Sequence, residues 1–122
     1  MKTLLLSLLV FCIVSCASAE PRRAYQEVLT GKAVMIDVRE NDEVKDGMID
    51  RALWVPLSRM KAAPEETTQE VRAISGGRTI YTYCHSGRRS QMFLDLLKEY
   101  GVDGENLGGY PDLLRAGLPV KE

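Results

Sequence analysis

The sequence predicts a small α/β domain in three layers, a central parallel sheet of four to five strands flanked by helices, and two observations predict it. The 122 residues are 45% apolar and 27% charged, an ordinary globular balance that argues against a disordered chain. Short apolar runs alternate along the chain with amphipathic segments that end at glycine. Strands alternating with helices on this scale pair in parallel, and such sheets bind ligands at the carboxyl ends of their strands.

Residues 1–19 stand apart, with fourteen apolar residues and a single charge, Lys2. Met1-Lys2 is a short basic start, Leu4 to Val14 is an apolar run broken only by Ser7, and Ala17-Ser18-Ala19 offers small residues for cleavage, the pattern of a secretory signal peptide. The run is well short of the roughly 20 residues that span a bilayer. Ile13-Val14-Ser15-Cys16 also resembles the bacterial lipoprotein box, in which residues 1–15 form the signal and Cys16 becomes the lipidated first residue. Either route implies export to a periplasm, with the domain free or tethered to the membrane through Cys16. Residues 20–122 are then one domain of 103 residues, with 15 Lys and Arg against 17 Asp and Glu, large enough for one modest core. No basic stripe or tail suggests a nucleic-acid partner. No heptads or long unmatched apolar stripe offers a partner surface, so a monomer is expected.

The elements follow in order. Ala24 to Leu29 reads as a short helix stopping at Gly31, and Ala33 to Val38 as a buried strand. Asn41 to Lys45 is a helical turn ending at Gly47, and Ala52 to Val55 a second strand closed by Pro56. Ser58 to Ala63 and Thr67 to Ile74 read as helices, the second capped by Thr67-Thr68 and ended by Gly76-Gly77. Thr79 to Tyr83, rich in β-branched and aromatic residues, is the most convincing strand. After a polar loop, Ser90 caps an amphipathic helix with Met92, Phe93, Leu96, Leu97 and Tyr100 near helical spacing, ending at Gly101. Val102 to Leu107 carries a last short strand, and Gly108-Gly109 leads into a helix around Asp112 to Arg115 that stops at Gly117.

Cysteine usage focuses the reading on one loop. Cys12 leaves with the signal and Cys16 is removed or lipidated, so Cys84 is the one thiol left, and it has no partner for an internal disulfide. A lone Cys is often an inert, buried small hydrophobe. This one opens the segment Cys84-His85-Ser86-Gly87-Arg88-Arg89-Ser90 between the best strand and the best helix. Consecutive backbone N–H groups in so tight a loop, with the positive end of the helix behind them, form an anion cradle. A thiolate is such an anion, and with Arg88 and Arg89 nearby Cys84 has the surroundings of a nucleophile. Gly87 allows the turn, and two adjacent arginines suit an oxyanion fork, so at least one is expected on the substrate. His85, the only His, is either a general base or a side chain directed to solvent. One His and one available Cys do not make a metal ligand set, and no cofactor is expected.

Three stretches belong together: Met35-Ile36-Asp37-Val38-Arg39-Glu40, followed by Glu43, Gly47, Ile49, Ala52 and Pro56; Cys84 to Ser90; and Leu107-Gly108-Gly109 with Ala116-Gly117-Leu118-Pro119-Val120. In this order they resemble the first signature, the active-site loop and the closing segment of the rhodanese family, across nearly the whole domain. Met48 stands where a His is usual, Arg51 where a Gly is usual and Leu113 where a Trp is common.

The resemblance implies a thiosulfate sulfurtransferase. Cys84 takes the outer sulfur of a donor such as thiosulfate as a persulfide, and cyanide or a thiol takes it away. The double Arg suits dianionic thiosulfate better than mercaptopyruvate. The same resemblance makes Asp37 and Arg39 structural support near the site. A loop-Cys phosphatase or an arsenate reductase is the less favoured alternative: cell-cycle-type phosphatases share the fold but have Arg six positions after Cys, where this chain has Ser90; Arg89 stands five positions after Cys84, a loop too small for phosphate. A periplasmic sulfur carrier that loads without turnover is the alternative function, separated by whether thiocyanate forms repeatedly from thiosulfate and cyanide.

Overall fold

The structure, a computed structural model, describes residues 19–121. The expected signal segment, with Cys12 and Cys16, lies outside the described residues apart from Ala19.

The first helix, α1 (Pro21–Leu29), begins ahead of the expected Ala24 because Glu20 caps it. Its carboxylate accepts the Arg22 N–H at 3.2 Å and the Arg23 N–H at 2.8 Å, and Pro21 fills the first turn, where its missing N–H costs nothing. Next come β1 (Ala33–Asp37), α2 (Asn41–Val44), β2 (Met48–Ile49) and β3 (Leu53–Trp54). The strand expected over Ala52 to Val55 shrinks to β3, an edge pair whose side chains are exposed.

Then α3 (Leu57–Ala62) and α4 (Pro64–Ser75) follow. Thr67 and Thr68 are not caps: α4 starts at Pro64, and both threonines are buried inside it, with the Thr67 hydroxyl donating to the Arg59 carbonyl at 3.2 Å. Proline at a helix start was the stronger signal. After β4 (Thr79–Cys84) comes α5 (Arg88–Glu99), preceded by Gly87 at φ 91°, so Ser90 lies within the first turn rather than at the cap. The last elements are β5 (Glu105–Gly109), α6 (Tyr110–Arg115) and β6 (Val120–Lys121). The last long strand thus runs later than the expected Val102 to Leu107 and takes in Gly108-Gly109.

Four strands form one parallel sheet in the order β3-β1-β4-β5. A separate antiparallel ribbon pairs β2 with β6, which the sequence reading did not anticipate. Alternation in β1 and β4 sends Val34, Ile36, Ile80 and Cys84 to one face, where Leu57, Met60, Val71, Phe93, Leu94 and Leu97 pack against them. Ala33, Met35, Tyr81 and Tyr83 face the other side, with Ala24, Tyr25, Leu107, Leu113 and Leu118. Both faces of the sheet are therefore buried, which explains why β1 reads as an unbroken apolar run and why three layers result. The carboxyl ends of β1 and β4 meet at one pole, where the Val38 N–H bonds the Tyr83 carbonyl at 3.1 Å and the Cys84 loop begins.

Candidate active site

Cys84 is the last residue of β4 and has no exposed surface. Its Sγ accepts the Gly87 N–H at 3.0 Å and the Ser90 N–H at 3.4 Å, so the end of the loop and the first turn of α5 both close over the sulfur. The left-handed Gly87 makes this turn possible, since a side chain there is disfavoured by φ and would press on the Gly108 backbone at 3.1 Å. Ser90 is fixed by its own hydroxyl, 2.6 Å from the Thr82 hydroxyl in the interior. The sulfur thus sits at the N-terminal end of α5, where free N–H groups and the helix dipole favour negative charge.

The rest of the loop is held from two sides. The Asn106 side chain donates to the Gly87 carbonyl at 2.8 Å and accepts the Gly108 N–H at 2.9 Å, tying β5 to the loop. Gly109 lets β5 pass beneath, because a Cβ there would meet the His85 carbonyl oxygen at 2.3 Å. From the other side, Glu43 in α2 takes both terminal nitrogens of Arg89, at 2.5 and 2.7 Å. That guanidinium holds the Glu43 carboxyl down to about 2, against the opposing effect of partial burial. The pair with Glu43 likewise pushes Arg89 up.

Asp37 and Arg39 form a buried ion pair at the end of β1, with the guanidinium Nη2 2.8 Å from the carboxylate. Arg39 also donates to the Gly47 carbonyl at 2.7 Å and lies 4.0 Å from the centre of the Tyr110 ring. Burial works against the Arg39 charge, but Asp37 outweighs it and the guanidinium is held above its ordinary value. Burial, with the Asp37 charge adding to it, pushes the Tyr83 phenol well up, and its oxygen accepts the Ile49 N–H at 3.0 Å. These groups tie β1, the turn before β2 and β4 together beside the loop.

The structure brings Cys84, Gly87, Ser90 and Arg89 together, and leaves His85, Ser86 and Arg88 exposed at the loop's outer surface. Thr82 and Asn106 were missed as site residues by sequence reasoning, and Glu43 and Gly109 were noted only as parts of signatures. The paired Gly108-Gly109 was a usable sign of close backbone approach; Asn106 carried none. A cavity of about 340 Å³ lined by Glu20, Arg23, Glu27, Thr79, Tyr81 and Glu105 lies at the opposite pole, at the start of β4 and β5.

This is a strand, tight loop and helix holding a buried thiol against two backbone N–H donors, within a three-layer parallel α/β fold. The rhodanese-like domain family matches residues 20–115, and the chain belongs to it. A mitochondrial protein of Schizosaccharomyces pombe, provisionally named a thiosulfate sulfurtransferase, is 34% identical over 83 residues, which are 63% of this chain and 57% of that one. An adenylyltransferase and sulfurtransferase of Yarrowia lipolytica is 26% identical over 85 residues, 70% of this chain and 20% of its own. The chain therefore spans little more than half of the first relative and a fifth of the second. Among solved structures, an Escherichia coli rhodanese with anions is 27% identical with TM-score 0.59, covering 74% of this chain and 98% of that one. A rhodanese-related protein of Thermoplasma volcanium, 21% identical with TM-score 0.67 over 85% of this chain and 96% of its own, shares the fold.

Proposed function

We propose that this chain is a sulfurtransferase that carries sulfane sulfur on Cys84, with thiosulfate as donor and cyanide or a thiol as acceptor. The observation that carries the reading is the Cys84 sulfur receiving two backbone N–H groups at the start of α5. The Cys84 thiolate attacks the outer sulfur of thiosulfate, the S–S bond of the donor breaks, and sulfite leaves with the bonding pair. The new terminal sulfur carries the negative charge, which the N-terminal end of α5 favours. Attack by cyanide on that sulfur returns the Cys84 thiolate and releases thiocyanate. The S. pombe relative's name and the anions in the E. coli structure support an anionic donor of this kind.

Intact mass after thiosulfate treatment tests the proposal. The wild type is expected to gain one sulfur atom and Cys84→Ser none; an unchanged wild type, or equal loading of both, overturns it. Repeated thiocyanate formation is expected from a sulfurtransferase, whereas a single stoichiometric release identifies a carrier. Residues 1–19 are proposed as an export signal. After expression in a bacterium, the same spectrum is expected to show a chain starting at Glu20 or at a lipidated Cys16, and a chain that keeps Met1 to Ala19 in the cytosol overturns that part.

A further inference from the structure

The two arginines of the loop are adjacent in sequence and unlike in structure. Arg89 and Glu43 meet through two parallel bonds, Nη1 to Oε1 and Nη2 to Oε2, with each side chain 31% exposed. The Glu43 carboxylate is itself oriented, since Oε1 also accepts the Glu40 backbone N–H at 3.2 Å. Arg88, the first residue of α5, is exposed, and its guanidinium has no hydrogen bond or ion pair among the described residues.

We propose that the two residues divide the work of the loop: Arg89, clamped by Glu43, is a positioning residue that fixes the Cys84 cradle, and Arg88 is the loop cation that receives an anionic donor. The proposal rests on the sulfurtransferase reading above and deepens it.

Three physical arguments carry it. First, the Arg89 charge is already neutralised, and turning it toward a donor means breaking a two-bond charged pair. Second, the N–H groups on the sulfur belong to Gly87 and Ser90, which bracket the two arginines. Holding Arg89 to α2 therefore holds both donors in register with Sγ. Third, Arg88 opens α5 at the loop's outer surface with its guanidinium exposed, so an anion approaching the N-terminal end of that helix from solvent meets this cation first.

Alkylation of Cys84 separates the roles without relying on turnover. Iodoacetate and iodoacetamide react with the same thiol and differ in charge, so the ratio of their rates reads the cations that an approaching anion meets. Arg88→Gln is expected to lower the ratio, and to raise KM for thiosulfate, by about tenfold, the loss of one charged contact. The charge-neutral double variant Glu43→Gln, Arg89→Gln is expected to keep the ratio and KM within about twofold while both alkylation rates and kcat fall together, since it loosens the cradle without removing net charge. Glu43→Gln alone is expected to raise the ratio, because it releases Arg89 as a second cation.

An unchanged ratio in Arg88→Gln overturns the proposal, as does a double variant whose ratio falls as far as that of Arg88→Gln. Arg88 is exposed, so its variant is decisive even if the double variant unfolds. Sulfur loading is scored in parallel by mass. A wild type that never loads overturns the sulfurtransferase reading, whereas a wild type that loads with the ratios reversed overturns only the division of roles.

Discussion

Arg39 shows how much a single residue fixes at this pole. Its guanidinium reaches the Asp37 carboxylate through Nε and Nη2, donates to the Gly47 carbonyl and covers the Tyr110 ring, while its carbonyl accepts the Trp54 indole N–H at 2.8 Å. Removing one member of such a pair strands the other charge in the interior. Asp37→Ala is therefore expected to cost about 3–5 kcal/mol, read as a lower urea midpoint with unchanged slope. A loss below about 1 kcal/mol would mean that water already screens the pair as it does at a surface. Glu43 makes a prediction in pH. Its carboxyl lies at about 2 in the folded chain against 4.5 ordinarily, so the folded state binds fewer protons between those values. The stability it supplies is complete above about pH 4.5 and is lost as pH falls through that window toward 2. With the pair about a third open to solvent, the amount is about 1 kcal/mol. Melting temperatures of wild type and Glu43→Gln should converge as pH falls from about 5 to about 2; parallel curves would show that Arg89 does not hold this carboxylate.

At the scale of elements, the turn between β2 and β3 carries visible strain. The Ala52 N–H bonds the Ile49 carbonyl at 3.0 Å, which makes Asp50 and Arg51 the central residues, and Arg51 sits at φ 73°. That second central position with positive φ favours glycine, the residue usual there in the family the sequence resembles. Arg51 is mostly exposed and its ion pair with Asp50 is long, at 3.9 Å, so little is lost on replacing it. Arg51→Gly is expected to stabilise by about 0.5–1 kcal/mol, raising the melting temperature by several degrees, and a lower melting temperature would show that the arginine contributes more than its backbone costs. The same turn illustrates what was legible. The parallel sheet could be read because β1 and β4 are buried on both faces and show it as apolar runs, and the Cys84 loop because strand, tight loop and helix are consecutive. The β2–β6 ribbon could not, since two-residue strands far apart in sequence leave no periodicity. The Arg89–Glu43 clamp joins residues 46 apart, and nothing local to either arginine distinguishes the clamped one from the free one. The true start of α4 was hidden by Thr67-Thr68, which suit a cap in isolation but are packed against α3 instead.

Across the whole molecule, the two apolar layers share the strands that carry the site. β1 and β4 contribute alternate residues to each layer, so loosening one layer removes support from the backbone that the other packs on. Leu113 lies wholly buried in the layer closed by α1 and α6, away from Cys84, whose side chain packs in the opposite layer. Leu113→Ala leaves a cavity there and is expected to cost about 2–5 kcal/mol. If the layers are coupled through the shared strands, that loss lowers one common transition. The single Trp54, on the edge strand beside β1, and the far-ultraviolet dichroism of the helices then report the same midpoint. Persulfide loading of Cys84, followed by mass across the same denaturant series, is expected to fall at that midpoint as well, although the substitution lies on the far side of the sheet. Separate midpoints for Trp54 and the helices would mean that the layers unfold independently, and that the Cys84 cradle takes its order from α5 and its own face of the sheet rather than from the molecule as a whole.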